Sequence, residues 1–240
     1  MQKYTAATTQ NRLPDGNIAC IFQNEQGLLW CCIDRVGLVQ FDQRTGAVEV
    51  LRPYQDEATL RQQNYFPLLF KAAVKDQTQP DVYWLPTVQG LLKFIPHQRR
   101  CTPQPLLADQ AAKAPHIRHA YQDKNGILWM VTHGMGLLAF DPATENINRY
   151  NCRERVEEPN FTCLNALGIL PWSTDTLLIC TGTEGWLVFD KKSGSFDFMN
   201  NHPERNSLPA AGSFACYFGS SKNIWIAPGS AGQGLLASQK

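Results

Sequence analysis

Apolar and polar residues alternate along this chain in short runs, each stopped by a polar turn. Ile18, Cys20 and Phe22 make one such run; Ile117, His119 and Tyr121 make another. A period of two puts one face of a segment on a core and the other on a neighbour, which is strand behaviour. No run of helical period long enough to matter interrupts this pattern. The chain therefore reads as all-β.

The runs recur. Ile18–Gly46 and Ile117–Glu145 align almost letter for letter, and Thr176–Gly194 repeats the second half of that unit. Looser copies are Val82–Phe94 and Asn223–Leu236. One position runs Trp30, Trp84, Trp129, Leu178, Trp225, at spacings of 54, 45, 49 and 47 residues. That period suits a propeller blade of four short strands. Calling the strands A to D, strand A is the alternating run, and a polar turn follows at Asn24–Gly27 and Asp123–Gly126. Strand B carries the tryptophan, a side chain large enough to fill the wedge between two sheets. Strand C begins at a glycine: Gly37, Gly90, Gly136, Gly185, Gly234. The turn into strand D reads Asp-x-x-Thr/Ser at Asp42/Thr45, Asp141/Thr144 and Asp190/Ser193, where a carboxylate can accept local backbone N–H groups. Gly46 and Gly194 follow at a position that wants positive φ; Glu145 stands there in the third copy, so Asn146 is expected to take the left-handed conformation instead.

The expected fold is a β-propeller of four-stranded blades, about five in this chain, as a closed five-bladed ring or an arc of a larger propeller. The reading is one domain, 1–240, with blades at approximately 13–51, 64–107, 115–150, 161–199 and 212–240. The last blade lacks a strand D, and residues 3–7 are the candidate to complete it.

Composition adds exclusions. With 43% apolar and 18% charged residues in 240, the chain is neither disordered nor low-complexity. Lys and Arg total 22 against 21 for Asp and Glu, so no net field draws it to nucleic acid. No apolar stretch reaches the ~18 residues of a membrane span, and the start reads as no signal peptide. The eight cysteines include a vicinal pair, Cys31-Cys32, but no CxxC, so no metal site is expected. They read as small buried hydrophobes, with disulfides the minority reading.

At this point a resemblance becomes specific. The pattern I-x-x-I-x-x-D-x-x-G-x-L-W-x-x-T-x-x-G-L-x-x-F-D-x-x-T-G resembles the two-component regulator propeller repeat. Gln26-Gly27-Leu28-Leu29-Trp30 with Gly37-Leu38 and Phe41-Asp42 carry it in copy one; Asn125-Gly126-Ile127-Leu128-Trp129 with Gly136-Leu137 and Phe140-Asp141 carry it in copy three. Copy four departs at Leu178. Copy two has Ile95-Pro96-His97-Gln98 in place of the Asp-x-x-Thr turn. The resemblance implies a sensor region of a bacterial hybrid two-component system. It also implies a periplasmic setting, an oligosaccharide-derived ligand and a histidine kinase module in the full-length protein.

In a propeller, the B–C and D–A connections share one face, where ligands bind. The candidate ligand-binding residues there are Asp34, Arg35, Gln89, His133 and Glu184, joined before strand A by Tyr65 and His116. Amides, carboxylates, an arginine and flat rings are what sugar hydroxyls and ring faces ask for. Catalysis is not expected. Asp34 and Glu184 are the acids placed in B–C loops, His133 has no nucleophile beside it in sequence, and no cofactor motif occurs. The expected function is a non-catalytic ligand-binding sensor. A protein-interaction scaffold and, further off, a five-bladed glycosidase are the alternatives.

Overall fold

A computed structural model describes residues 5, 13–33, 36–52, 73–106, 114–151, 166–182, 186–198, 213–218, 223–228 and 236–239. Among these residues the regular structure is strand, apart from one 3-10 turn at Pro96–Gln98. The chain divides into two compact units, Met1–Ala114 and Pro115–Lys240.

The first unit holds two antiparallel four-stranded sheets, each with its strands in chain order. Sheet 1 is β1 (Ile18–Gln23), β2 (Leu29–Ile33), β3 (Gly37–Phe41) and β4 (Val48–Leu51). Sheet 2 is β5 (Val74–Lys75), β6 (Tyr83–Thr87), β7 (Gly90–Ile95) and β8 (Arg100–Gln104). The second unit holds three sheets. Sheet 3 is β9 (His116–Gln122), β10 (Leu128–His133), β11 (Leu137–Phe140) and β12 (Ile147–Tyr150). Sheet 4 is β13 (Ala166–Pro171), β14 (Thr176–Thr181), β15 (Trp186–Asp190) and β16 (Ser195–Phe198). Sheet 5 has three strands, β17 (Ser213–Phe218), β18 (Asn223–Pro228) and β19 (Leu236–Gln239). Of residues 3–7, expected to complete that sheet, all but Thr5 lie outside the described residues.

The alternation of each strand sends one set of side chains to the next sheet. In the first unit Trp30, Cys32 and Leu38 meet Tyr83, Leu85, Leu92 and Phe94 of sheet 2. The Trp30 and Phe94 rings lie edge to face at 4.8 Å. In the second unit Trp129, Val131 and Leu137 meet Ile169, Leu177, Ile179, Leu187 and Phe189 of sheet 4. The tryptophan of strand B thus fills the wedge between successive sheets within each unit, as its size predicts.

A polar contact locks two of these tryptophans, Trp129 and Trp84. Asp123 opens the A–B turn of sheet 3; its Oδ1 accepts from the N–H groups of Asn125 and Ile127 at 3.0 and 3.2 Å. Its Oδ2 accepts the Trp129 indole N–H at 2.9 Å and the Lys191 ammonium at 2.8 Å. Lys191 follows β15, so the ion pair ties sheet 3 to sheet 4. In sheet 2, Asp76 takes the Trp84 indole N–H at 2.6 Å and the Thr78 N–H at 2.7 Å. Sheet 1 has Asn24 in that place. Its Oδ1 accepts from Gln26 and Leu28, its other arm is a donor, and the buried Trp30 Nε1 has no partner. In sheet 4 the backbone register puts Trp172 there, since Trp172 N–H bonds the Thr176 carbonyl as Asp123 N–H bonds that of Ile127. Trp172 packs on a cluster that includes Leu178. Copy four has exchanged the polar pair for an apolar one, with the large ring moved to the turn.

The turns into strand D follow the sequence expectation. Asp42 accepts from Arg44 N–H and Thr45 Oγ1, Asp141 from Ala143 N–H and Thr144 Oγ1, and Asp190 from Lys192 N–H and Ser193 Oγ. Gly46 and Gly194 have φ of 69° and 67°. In the third copy Glu145 itself takes the left-handed conformation, φ 58°, rather than Asn146. The reason is register: Asp141 N–H bonds the Asn146 carbonyl as Asp42 N–H bonds that of Ala47, which fixes the left-handed position one residue earlier. In sheet 2 the 3-10 turn replaces the Asp-x-x-Thr device. Arg99 is left-handed at φ 51°, and Asp81 supplies the carboxylate, accepting from His97 N–H at 3.0 Å.

Candidate functional site

The inner strands β1, β9, β13 and β17 share an irregularity near their starts. Each pairs with its neighbour, skips one residue and resumes pairing. The skipped residues are Ala19, Arg118, Leu167 and Phe214. Such bulges bend a strand and re-aim the extra side chain.

Sheet 3 shows the end of the blade most completely. His116 opens β9 and His133 closes β10, and the two are cross-strand partners. Their rings stand 5.7 Å apart at 49°, with His133 exposed and His116 half-buried. Two residues along β9, the bulged Arg118 is half-buried, and its Nε is buried without a hydrogen-bond partner. The loop from β10 to β11 is held from within. Thr132 Oγ1 donates to the Gly136 carbonyl at 2.8 Å and accepts from Met135 N–H at 3.2 Å. Arg149 of β12 donates its Nε to the Met135 carbonyl at 2.8 Å. Gly136 has φ 81°, and a Cβ there would stand 2.4 Å from the Tyr150 carbonyl oxygen. The site is thus a rigid strand end carrying two imidazoles and a guanidinium, beside a tightly bonded loop.

The same loop device recurs in sheet 2, where Thr87 Oγ1 donates to the Gly90 carbonyl and accepts from Gln89 N–H, both at 2.9 Å. Gln89 is half-buried there. Of the sequence candidates, the structure brings His116 and His133 together and sets Gln89 in a separate loop of the first unit. Asp34, Arg35, Tyr65 and Glu184 lie outside the described residues. Arg118 was not among the candidates. Its signal in the sequence is the one Lys, Arg, Asp or Glu in β9 (His116–Gln122), but period two alone does not reveal a bulge. Among the described residues no group of three or more His, Cys, Asp or Glu could hold a metal ion, and no helix is long and apolar enough to cross a membrane.

Repeated four-stranded antiparallel sheets in chain order, packed face to face through strand-B tryptophans, define a β-propeller, and this is the fold class of the chain. No protein-family profile and no curated protein sequence matches it. Solved structures do. The extracellular domain assigned to the hybrid two-component system BT3049 of B. thetaiotaomicron is similar at 20% identity, with a TM-score of 0.60 over 91% of this chain and 26% of that one. The extracellular domain assigned to the one-component system BT4673 of the same organism is similar at 14% identity, with a TM-score of 0.67 over 95% of this chain and 28% of that one. Virginiamycin B lyase of Staphylococcus aureus, bound to quinupristin, is similar at 11% identity, with a TM-score of 0.59 over 92% and 69%. The chain spans about a quarter of the length of the two extracellular domains. At these identities the likeness is one of fold, which a binding domain and an enzyme can share.

Proposed function

We propose that this chain is a non-catalytic ligand-binding propeller of an extracytoplasmic sensor, taking an oligosaccharide fragment on the face formed by its B–C loops. On this proposal residues 1–240 form one propeller domain, the setting is periplasmic, and a histidine kinase module in the full-length protein reads the binding event. The observation that carries the reading is the end of sheet 3. Two imidazole rings stand 5.7 Å apart there, Arg118 two residues along β9 has a buried guanidinium Nε without a partner, and Thr132, Arg149 and Gly136 hold the loop in place. Flat rings offer stacking surfaces to a sugar, and a guanidinium offers directed donors to hydroxyls or a carboxylate. Two extracellular domains of similar fold, from a hybrid and a one-component system, support the sensor setting.

Calorimetry against neutral and carboxylated oligosaccharides tests the proposal. Binding without turnover is expected, weakened by about 1–3 kcal/mol in His133→Ala and in Arg118→Gln, the loss typical of a hydrogen bond to a charged group. Hydrolysis of any member of the panel would replace the sensor with an enzyme. Silence across the panel, with a protein captured on the same face, would replace it with a scaffold.

A further inference from the structure

Cys20 of β1 and Cys32 of β2 are cross-strand partners, and their Sγ atoms stand 3.2 Å apart. Both are free thiols in the structure. Antiparallel partners have Cα atoms ~4.5–5.5 Å apart, within the ~4.4–6.8 Å that a disulfide spans, so the backbone need not move to join them. The two sulfurs differ in surroundings. Cys20 is half-buried on the inner strand, whereas Cys32 is fully buried between sheets 1 and 2, against Trp30 and Leu85. Cys31 is buried on the opposite face with Ile33 and Val39, so it is turned away from the pair.

We infer that Cys20 and Cys32 form a redox-active thiol pair, with Cys20 the attacking and Cys32 the resolving cysteine, that closes to a disulfide by exchange with a small disulfide of the glutathione class. In the first step the Cys20 thiolate attacks one sulfur of the donor. The donor S–S bond breaks, one thiolate leaves, and a mixed disulfide remains on Cys20. In the second step Cys32 gives up its proton and its sulfur attacks Cys20 Sγ. The Cys20–Cys32 bond forms and the second small thiolate departs. Two protein thiols are oxidised by two electrons, one small disulfide is reduced to two thiols, and the two protein protons end on the departing thiolates. The titration of the pair runs the same way. The adjoining Cys32 thiol holds Cys20 below its ordinary value against the upward push of burial, and burial drives Cys32 well above it. Cys101, on the same cluster, is pushed by burial up to about 12, so it is a poor competitor.

The experiment uses the full chain, reduced and then equilibrated with graded ratios of oxidised to reduced glutathione. Intact mass should show the loss of two hydrogens. Cleavage after Glu25, which separates Cys20 from Cys31 and Cys32 in sequence, should leave the two pieces joined until reductant is added. Fragmentation should place the link at Cys32. Cys31→Ser should close as the parent does. Cys32→Ser should stop with one glutathione held on Cys20, and brief alkylation at neutral pH should label Cys20 about tenfold faster than Cys101. Should Cys32→Ser not fold, Cys20→Ser gives the complementary result, with no closure and no stable adduct at Cys32. A link through Cys31 or Cys101, or no link at any ratio, overturns the inference.

Discussion

Trp129 donates its indole N–H to Asp123 Oδ2 across 2.9 Å, and the same oxygen holds Lys191 of the next sheet at 2.8 Å. One buried carboxylate thereby serves a turn, a wedge-filling ring and a neighbouring sheet. Asp123→Asn keeps the shape and removes the charge, leaving Lys191 without its partner. The expected cost is about 2–4 kcal/mol, near the lower part of the range for breaking a buried pair because Lys191 keeps some exposure. Chemical denaturation of the parent and variant measures it. A loss below half a kcal/mol would mean that the carboxylate is only a turn former.

Acid should remove the same contribution. Burial raises the Asp123 carboxyl, but the Lys191 and Trp129 donors outweigh it and leave the group below its ordinary value. A depressed folded value stabilises the fold fully above the unfolded value and is lost as pH falls through the folded one. Stability should therefore hold down to about pH 4 and fall below it, with Asp76, lowered likewise by Thr78 and Trp84 against burial, adding to the slope. In Asp123→Asn the acid slope should be shallower. An unchanged slope would place the acid sensitivity elsewhere.

Sheet 1 offers the converse test. Asn24 leaves the Trp30 indole N–H without an acceptor, and Asp76, which has no ion pair among the described residues, shows that a carboxylate can take the indole N–H in this position. Asn24→Asp should stabilise by about 0.5–1.5 kcal/mol at neutral pH, the net worth of a hydrogen bond made. Melting curves should show the gain shrinking in acid, where the new carboxyl is protonated. A gain that persists unchanged in acid would contradict the assignment.

Glu145 bears backbone strain that its counterparts Gly46 and Gly194 avoid. The left-handed conformation costs a side-chain-bearing residue ~1–2 kcal/mol, while glycine adds ~0.5–1 of chain entropy to the unfolded state. Glu145→Gly should thus stabilise by about 0.5–1 kcal/mol. Gly136→Ala should do the opposite and cost more than 2 kcal/mol, because its Cβ would strike the Tyr150 backbone 2.4 Å away, where no side chain can yield. Thermal unfolding of the two variants should shift in opposite directions.

Much of the frame was legible because it is periodic. The Trp30, Trp84 and Trp129 series, the strand-C glycines and the Asp-x-x-Thr turns each announce a strand or a turn by local chemistry. Beyond the wedge that a tryptophan fills, local chemistry could not give which residues meet from one sheet to the next. The Asp123 turn was readable as a turn; that Lys191, far along the chain, completes it was not. Leu178 reads in the sequence only as a departure, and the register shows that Trp172 at the turn exchanges places with it. Of the candidate site, the His116–His133 pairing follows from strand ends meeting. Arg118 escaped notice because a bulge shifts register without changing the alternation that betrays a strand.

The bulge itself sets a constraint on how such a blade can change over generations. Ala19, Arg118, Leu167 and Phe214 occupy one backbone position in four sheets, and they run in size from a methyl group to a phenyl ring, with one guanidinium among them. The ladder resumes on either side whatever stands there. Selection can therefore exchange the residue at that point without renegotiating the strand pairing of the sheet, so novelty can accumulate on the first strand while the ladder around it is inherited unchanged.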